Sequence, residues 1–195
     1  MSRTLWIVLA VAVVLLGWLW TSYNNLVGLR GGVDLAWAQV QTDLQRRFDL
    51  VPNLQATVQG AADFEQGTLT EVVAARTKWM SAQSAGDQAG QVEAANDFQG
   101  ALSRLLVTVE SYPQLTATQG FRDLQVQLEG TENRIATARR DYNQAVTSYN
   151  VGIRTFPTNI AAGMLGFAPA ETFQGTPGSE SAPSVQFDFR AVDAD

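Results

Sequence analysis

Leu-Trp-Ile-Val-Leu-Ala-Val-Ala-Val-Val-Leu-Leu-Gly-Trp-Leu-Trp, Leu5 to Trp20, is unbroken apolar sequence, and helical periodicity follows it almost at once. Alone the run is slightly shorter than the roughly 20 residues that cross a bilayer core. Its flanks lengthen it. The hydroxyls of Thr4, Thr21 and Ser22 can bond back to helix carbonyls, and Trp18, Trp20 and Tyr23 cluster where headgroups lie. At about 1.5 Å per residue, Thr4 to Tyr23 crosses a thin bilayer. The competing reading is a cleaved secretory signal with Arg3 as its basic start. That reading needs small residues at the cleavage site, whereas Gly-Trp-Leu-Trp-Thr-Ser-Tyr follows Leu16 and is bulky. Residues 1–22 are therefore read as a retained transmembrane anchor. Arg3 lies before it and Arg30, Arg46 and Arg47 after it, so the positive-inside rule leaves the side of the following domain open.

Beyond the anchor, Leu26, Leu29, Val33, Trp37, Val40 and Leu44 recur at three- and four-residue steps, one face of an amphipathic helix from Asn24 to Arg47. Gly28, Gly31 and Gly32 interrupt its propensity, marking either a joint or a close contact with a neighbouring helix. Phe48-Asp49-Leu50-Val51-Pro52-Asn53 is a break, with Asp49 as a cap and Pro52 in the next first turn. A second helix is predicted from about Leu50 to Ser84, with Leu54, Val58, Ala61, Leu69, Val72, Val73 and Met80 buried. A third runs from Gln88 to Glu110 behind an Asp87 cap and stops at Tyr112-Pro113. The fourth begins near Gln119 or Phe121 and ends near Arg154. Phe156-Pro157-Thr158-Asn159 breaks the period, and Asn159 caps a short apolar helix, Ile160 to Leu165, ending at Gly166. From Ala168 the residues turn to Pro, Gly and Ser, and 168–195 reads as a disordered, acidic tail. Its alternating end, with Phe187 and Phe189, is either a docking motif or incidental.

The fold class is thus all-α: an N-terminal transmembrane helix, an up-and-down antiparallel four-helix bundle over 23–167, and a disordered tail. Short connections make sequential helices antiparallel. The fourth helix then returns towards the bilayer and brings Phe156, Ile160, Met164, Leu165 and Phe167 with it. This patch either meets lipid or an adjacent subunit, or folds over and plugs the end of the bundle.

Composition excludes several chemistries. The chain has no His and no Cys, and 13 Lys+Arg against 19 Asp+Glu. The acidic balance argues against nucleic acid and against electrostatic docking on anionic lipid. Without His, the Glu-x-x-His di-iron site of helical bundles, a phosphorelay and a Ser-His-Asp triad all lack a part. Glu129 and Glu132 share a helix face but read as a solvated edge. No catalytic residue, metal ligand or cofactor is expected.

Several stretches resemble the LemA family. They include Tyr23-Asn24-Asn25-Leu26-Val27-Gly28-Leu29-Arg30, Val33-Asp34-Leu35-Ala36-Trp37-Ala38-Gln39-Val40 and Leu44-Gln45-Arg46-Arg47-Phe48-Asp49-Leu50-Val51-Pro52-Asn53-Leu54. Further on come Glu110-Ser111-Tyr112-Pro113, Thr131-Glu132-Asn133-Arg134-Ile135-Ala136, Tyr142-Asn143, Tyr149-Asn150 and Phe156-Pro157-Thr158-Asn159. The resemblance covers about Tyr23 to Phe167 and departs at Gly120, where the family pattern expects a polar residue. It implies a four-helix bundle behind a membrane segment, in a bacterial cytoplasmic (inner) membrane. MamQ, a magnetosome protein, is similar to the family, which implies membrane organisation. Family members are also associated with membrane-bound metalloproteases, which implies an accessory role.

The resulting expectation is a non-enzymatic, single-pass membrane scaffold or interaction protein. It would self-associate as a homo-oligomer through coiled-coil-like packing. The alternative is an accessory or sensor subunit of a membrane protease or other membrane enzyme. Candidate interaction residues are Tyr23, Asn24, Arg30, Trp37, Arg46, Arg47, Asp49, Phe156, Ile160, Met164 and Phe167, with Phe187 and Phe189 for tail docking. Arg46, Arg47 and Asp49 read either as caps of the two helix ends that meet there or as a partner site. Trp37, Tyr142 and Tyr149 read as core. Asn24, Asn133, Asn143 and Asn150 are either surface residues or a polar network that fixes register.

Overall fold

In the computed structural model, residues 2–59 and 66–173 are described, and among them every regular element is a helix. The elements are α1 (Arg3–Phe48), α2 (Val51–Gln59), α3 (Gln66–Ser84), α4 (Gln88–Glu110), α5 (Pro113–Thr116), α6 (Gln119–Arg154) and α7 (Thr158–Leu165).

α1 is one unbroken helix of 46 residues. Its first third is wholly exposed, and an 18-residue window there reaches a mean hydropathy of 2.2, apolar enough to cross a membrane. Its second part buries Leu26, Val33, Val40, Leu44 and Phe48 in the bundle. The helix passes straight through Gly28, Gly31 and Gly32, and among the described residues nothing lies within 4 Å of where their side chains would begin. The expected joint is therefore corrected, and no helix among the described residues of the chain packs against these glycines. These glycines open onto the outer face, and the flanking helix carries the backbone through them.

The bundle consists of two antiparallel pairs, α1 with α6 and α3 with α4. On the first pair, Arg30 lies over Tyr149, Trp37 meets Tyr142 and Arg47 pairs with Glu132, so numbers rise on α1 as they fall on α6. On the second, Glu71 pairs with Arg104 and Lys78 with Glu93 and Asp97. Between the pairs, Gln41 bonds Gln91 and Arg47 bonds Gln99, so α1 and α4 run parallel. This is the up-and-down order that short connections require. α6 shows why the chain packs this way. Its buried residues Phe121, Leu124, Leu128, Thr131, Ile135, Ala138, Tyr142, Val146, Tyr149 and Ile153 step by three and four along 36 residues.

An aromatic cluster sits in the core where α1 ends. Phe48 stacks on Trp79 with centroids 4.6 Å apart and meets Phe98 edge-on at 4.7 Å. Trp79 fills the interior position expected of Met80, which is exposed. The α3 stripe runs Leu69, Val72, Ala75 and Trp79, one residue out of phase with the apolar Met80.

Local signals explain most boundaries. Asp87 caps α4 by accepting from the Gly90 amide at 3.0 Å, after a turn in which Gly86 has positive φ. Thr118 caps α6 at Phe121, so helix initiation does not depend on the residue at 120. α7 ends at Gly166 in the left-handed conformation. Pro157, without a side-chain cap, replaces the expected Asn159 at the start of α7, because Thr158 and Asn159 are already helical. The long second helix appears as α2 and α3, with 60–65 outside the described residues.

Candidate functional site

After Gly166 the chain turns back along α6, and residues 168–173 form a strap held by side chains of that helix. The Tyr149 hydroxyl donates to the Ala168 carbonyl at 2.8 Å, and the Tyr142 hydroxyl donates to the Glu171 carbonyl at 2.9 Å. Asn150 donates to the Ala170 carbonyl at 2.8 Å and accepts from its amide at 2.9 Å. Asn143 does the same for Phe173, at 3.1 and 2.7 Å. The spacing has a physical basis. Seven helical residues rise about 10.5 Å, and three residues of extended chain span about 10 Å. Two side-chain amides two turns apart therefore meet the backbone at positions three apart. They read main-chain groups, while Phe173 supplies the side-chain anchor. Phe173 is buried, faces Trp37 at 6.4 Å and lies under the Arg139 guanidinium at 4.2 Å.

Beside the strap lies a groove of about 590 Å³ between the parallel helices α1 and α4. Val33, Trp37, Val92, Tyr142 and Phe173 provide its apolar surface, and Arg30, Asp34, Gln88, Glu93, Asn96 and Glu171 its polar surface. Arg30 pairs with Asp34 at 3.3 Å. The Asn96 side-chain oxygen is buried without a hydrogen-bond partner. Burial pushes the Tyr142 phenol above its ordinary pKa, against the opposing pull of the hydrogen bond from Gln88. The phenol is thus a neutral donor and acceptor, bonded on both sides. A surface of this kind suits binding of an extended or apolar segment. Among the described residues no three His, Cys, Asp or Glu side chains gather where they would hold a metal ion.

A charged layer lies farther along the bundle, towards the end of α1. Arg47 is only 3 % exposed, pairs with Glu132 at 2.7 Å, donates to Gln99 and lies over the Phe98 ring. Burial lowers its pKa, and Arg139 adds to this, while Glu132 opposes it. Arg139 is also lowered by burial, with Glu132 opposing. Arg47 thus joins α1 to α6 and α4 at once.

The candidate residues from sequence fall into three groups. Arg30 and Trp37 line the groove. Tyr23 and Phe167 meet edge-on at 6.1 Å beside α7, where Phe156, Ile160 and Met164 stay exposed. Arg46, Arg47 and Asp49 do not cap the helix ends in the expected way. Arg46 reaches Asp43, Arg47 turns into the core, and the Asp49 carboxylate accepts from Gln45. Asn24 stays within α1, donating to the Trp20 carbonyl. Phe187 and Phe189 lie outside the described residues. Sequence reasoning missed Phe173, Ala170 and Glu171. The available signal was the seven-residue repeat of Tyr-Asn at 142–143 and 149–150, which places two hydroxyls and two amides on one helix face.

The model of the LemA family matches residues 36–187. The chain is 28% identical to magnetosome protein MamQ 2 of Paramagnetospirillum magneticum (strain AMB-1) over 182 residues, which cover 82% of this chain and 67% of that protein. It is 32% identical to magnetosome protein MamQ of Magnetospirillum gryphiswaldense over 84 residues, 43% of this chain and 31% of that one. It is 26% identical to protein LemA of Metamycoplasma hominis over 153 residues, 78% of this chain and 69% of that one. The region matched by the family model includes the charged layer, the strap and the groove residues from Trp37 onward, and the chain belongs to the LemA family.

Proposed function

We propose that the protein is a non-enzymatic scaffold that is anchored in a bacterial inner membrane by α1 and acts by binding other proteins, including copies of itself, at the bilayer surface. The observation that carries this reading is the continuity of α1. One helix holds both the exposed apolar run and the core-facing residues Leu26, Val33, Val40 and Leu44. Cleavage after the apolar run would sever a continuous helix directly before Ser22, its first buried residue, which favours a retained anchor over a signal. The outward face of α1 supports self-association. Val27, Gly28, Gly31 and Leu35 lie on it uncovered, and Leu35 is 75 % exposed. Glycines at this spacing let a neighbouring backbone approach closely. Tethering raises effective concentration, so weak contacts on such a face suffice. The similarity to proteins named for magnetosomes agrees with work at a membrane.

The test is cross-linking in intact membranes through a cysteine introduced by Leu35→Cys, in a chain that has none of its own. A disulfide-linked dimer is expected. A strictly monomeric product, with no cross-linked partner of any kind, would overturn the reading. The accessory-subunit reading is favoured by the groove between α1 and α4, whose mixed surface fits a partner's extended segment. Under that reading, Trp37→Ala leaves the Leu35 dimer intact and abolishes a separate co-purifying protein.

A further inference from the structure

We infer that α7 and the residue preceding Pro157 form a second membrane contact, with Phe156, Ile160 and Met164 seated in the interfacial layer of the bilayer that α1 crosses. The inference rests on the reading of α1 as a span. Its observation is an inverted helix. α7 packs on α1 and α6, yet the side chains it buries are Ala161 and Ala162. Its large apolar side chains point outward. Phe156 is 76 % exposed, Met164 73 % and Ile160 50 %. A helix that merely closed the bundle would turn Ile and Met inward and leave Ala to water. The sequence expectation of a plug is therefore not what these side chains do.

Position identifies what covers them. Tyr23, which meets Phe167 beside α7, lies three residues after Trp20, about 4.5 Å along the helix axis. Ser22 is the first buried residue of α1, so the bundle begins where the apolar run ends. The contact of Tyr23 with Phe167 thus sets α7 beside the end of the apolar run Leu5–Trp20. Interfacial helices sink about 5–10 Å into the headgroup region, and Tyr23 stands only about 4.5 Å along the axis from the last residue of the apolar run. From Thr155 to Ala170 the sequence has no charged residue, and exposed Arg154 stands at its edge. A short uncharged helix with a cation before it suits the headgroup layer, while the acidic Glu171 at the other edge lies back along α6 beside Tyr142. A second protein copy would instead have to match a patch lying within the bilayer's own boundary.

The chain lacks Cys, so single cysteines give clean labels. Spin labels at Ile160→Cys and Met164→Cys, on exposed positions that leave the core intact, are compared with Leu9→Cys in the span and Val126→Cys on the far part of α6. The full chain is reconstituted in phosphatidylcholine vesicles, and collisions with oxygen and with a water-soluble nickel chelate are measured. Labels at 160 and 164 are expected to show an oxygen-to-nickel ratio several-fold above that at 126 and below that at 9. A ratio at 164 equal to that at 126, with 9 still deep, overturns the inference and leaves the anchor standing. Low collision with both reagents at 164 also overturns it, in favour of cover by a second copy. Nickel access at 9 sinks the anchor reading and this inference together.

Discussion

Asn143 and Asn150 each close a two-bond ring on the backbone of the strap, at Phe173 and at Ala170. They stand two helical turns apart and hold positions three residues apart, so these amides, with the Tyr142 and Tyr149 hydroxyls, fix the strap's register on α6. Replacing either by Ala removes two hydrogen bonds at a half-buried site. Each substitution is expected to lower stability by about 1–2 kcal/mol, read from urea unfolding. Limited proteolysis should show faster cleavage within 168–173 in Asn143→Ala and Asn150→Ala alike. Unchanged protection of that segment would show that the amides do not hold it.

The buried Arg47–Glu132 pair makes the two sides of an ion pair unequal. Glu132→Gln leaves a guanidinium almost without solvent and without its countercharge, and costs about 3 kcal/mol, near the lower end for buried pairs because Glu132 is itself part-exposed. Arg47→Met removes the buried charge and keeps the volume, and its cost should be clearly smaller. Equilibrium unfolding of both variants tests the order, and a larger loss in Arg47→Met would refute it.

Tyr142 predicts behaviour in alkali. Burial raises its pKa above the ordinary value near 10. Its folded form therefore holds the proton where the unfolded chain has lost it. The neutral phenol's contribution is complete below about pH 10 and is lost as pH rises through the folded value. Thermal melts from pH 8 to 11 should show a steeper fall for the native chain than for Tyr142→Phe, which starts lower because it has lost the bonds to Gln88 and Glu171. Parallel curves would refute the assignment.

Gly31 and Gly32 offer a way to separate folding from association. Among the described residues nothing lies against them, so Gly31→Ala and Gly32→Ala should each stabilise α1 by up to about 1 kcal/mol. Leu packs close to Gly152, where a new methyl would stand 2.7 Å from the Leu29 side chain, and Gly152→Ala should gain much less. If copies meet on the outer face of α1, Gly31→Leu keeps the fold and weakens the Leu35 cross-link. An undiminished cross-link would place the contact elsewhere.

Much of the fold could be read from the chain because period and punctuation agree. Asp87 and the Tyr112-Pro113 stop act locally, and α4 begins and ends where those signals place it. Trp79 and Met80 show the limit of that reading. Both are apolar neighbours, and only the facing rings of Phe48 and Phe98 decide which one enters the core. Arg46 and Arg47 show it again. Their position at a helix end suggested caps, while partners 50 or more residues away took Arg47 into the interior. The site was harder to see. The strap's binding groups lie in plain sight as a Tyr-Asn repeat, but their ligand is backbone, which leaves no mark in side-chain composition.

The 46-residue helix that begins at Arg3 is a lever about 70 Å long with no hinge along it. A lean of about 10° in its first twenty residues swings the aromatic tip near Phe48 sideways by about 12 Å. The α1 side of the groove beside Trp37 turns through the same angle. Where the bundle points, and what it can reach, is set by how its leading segment stands.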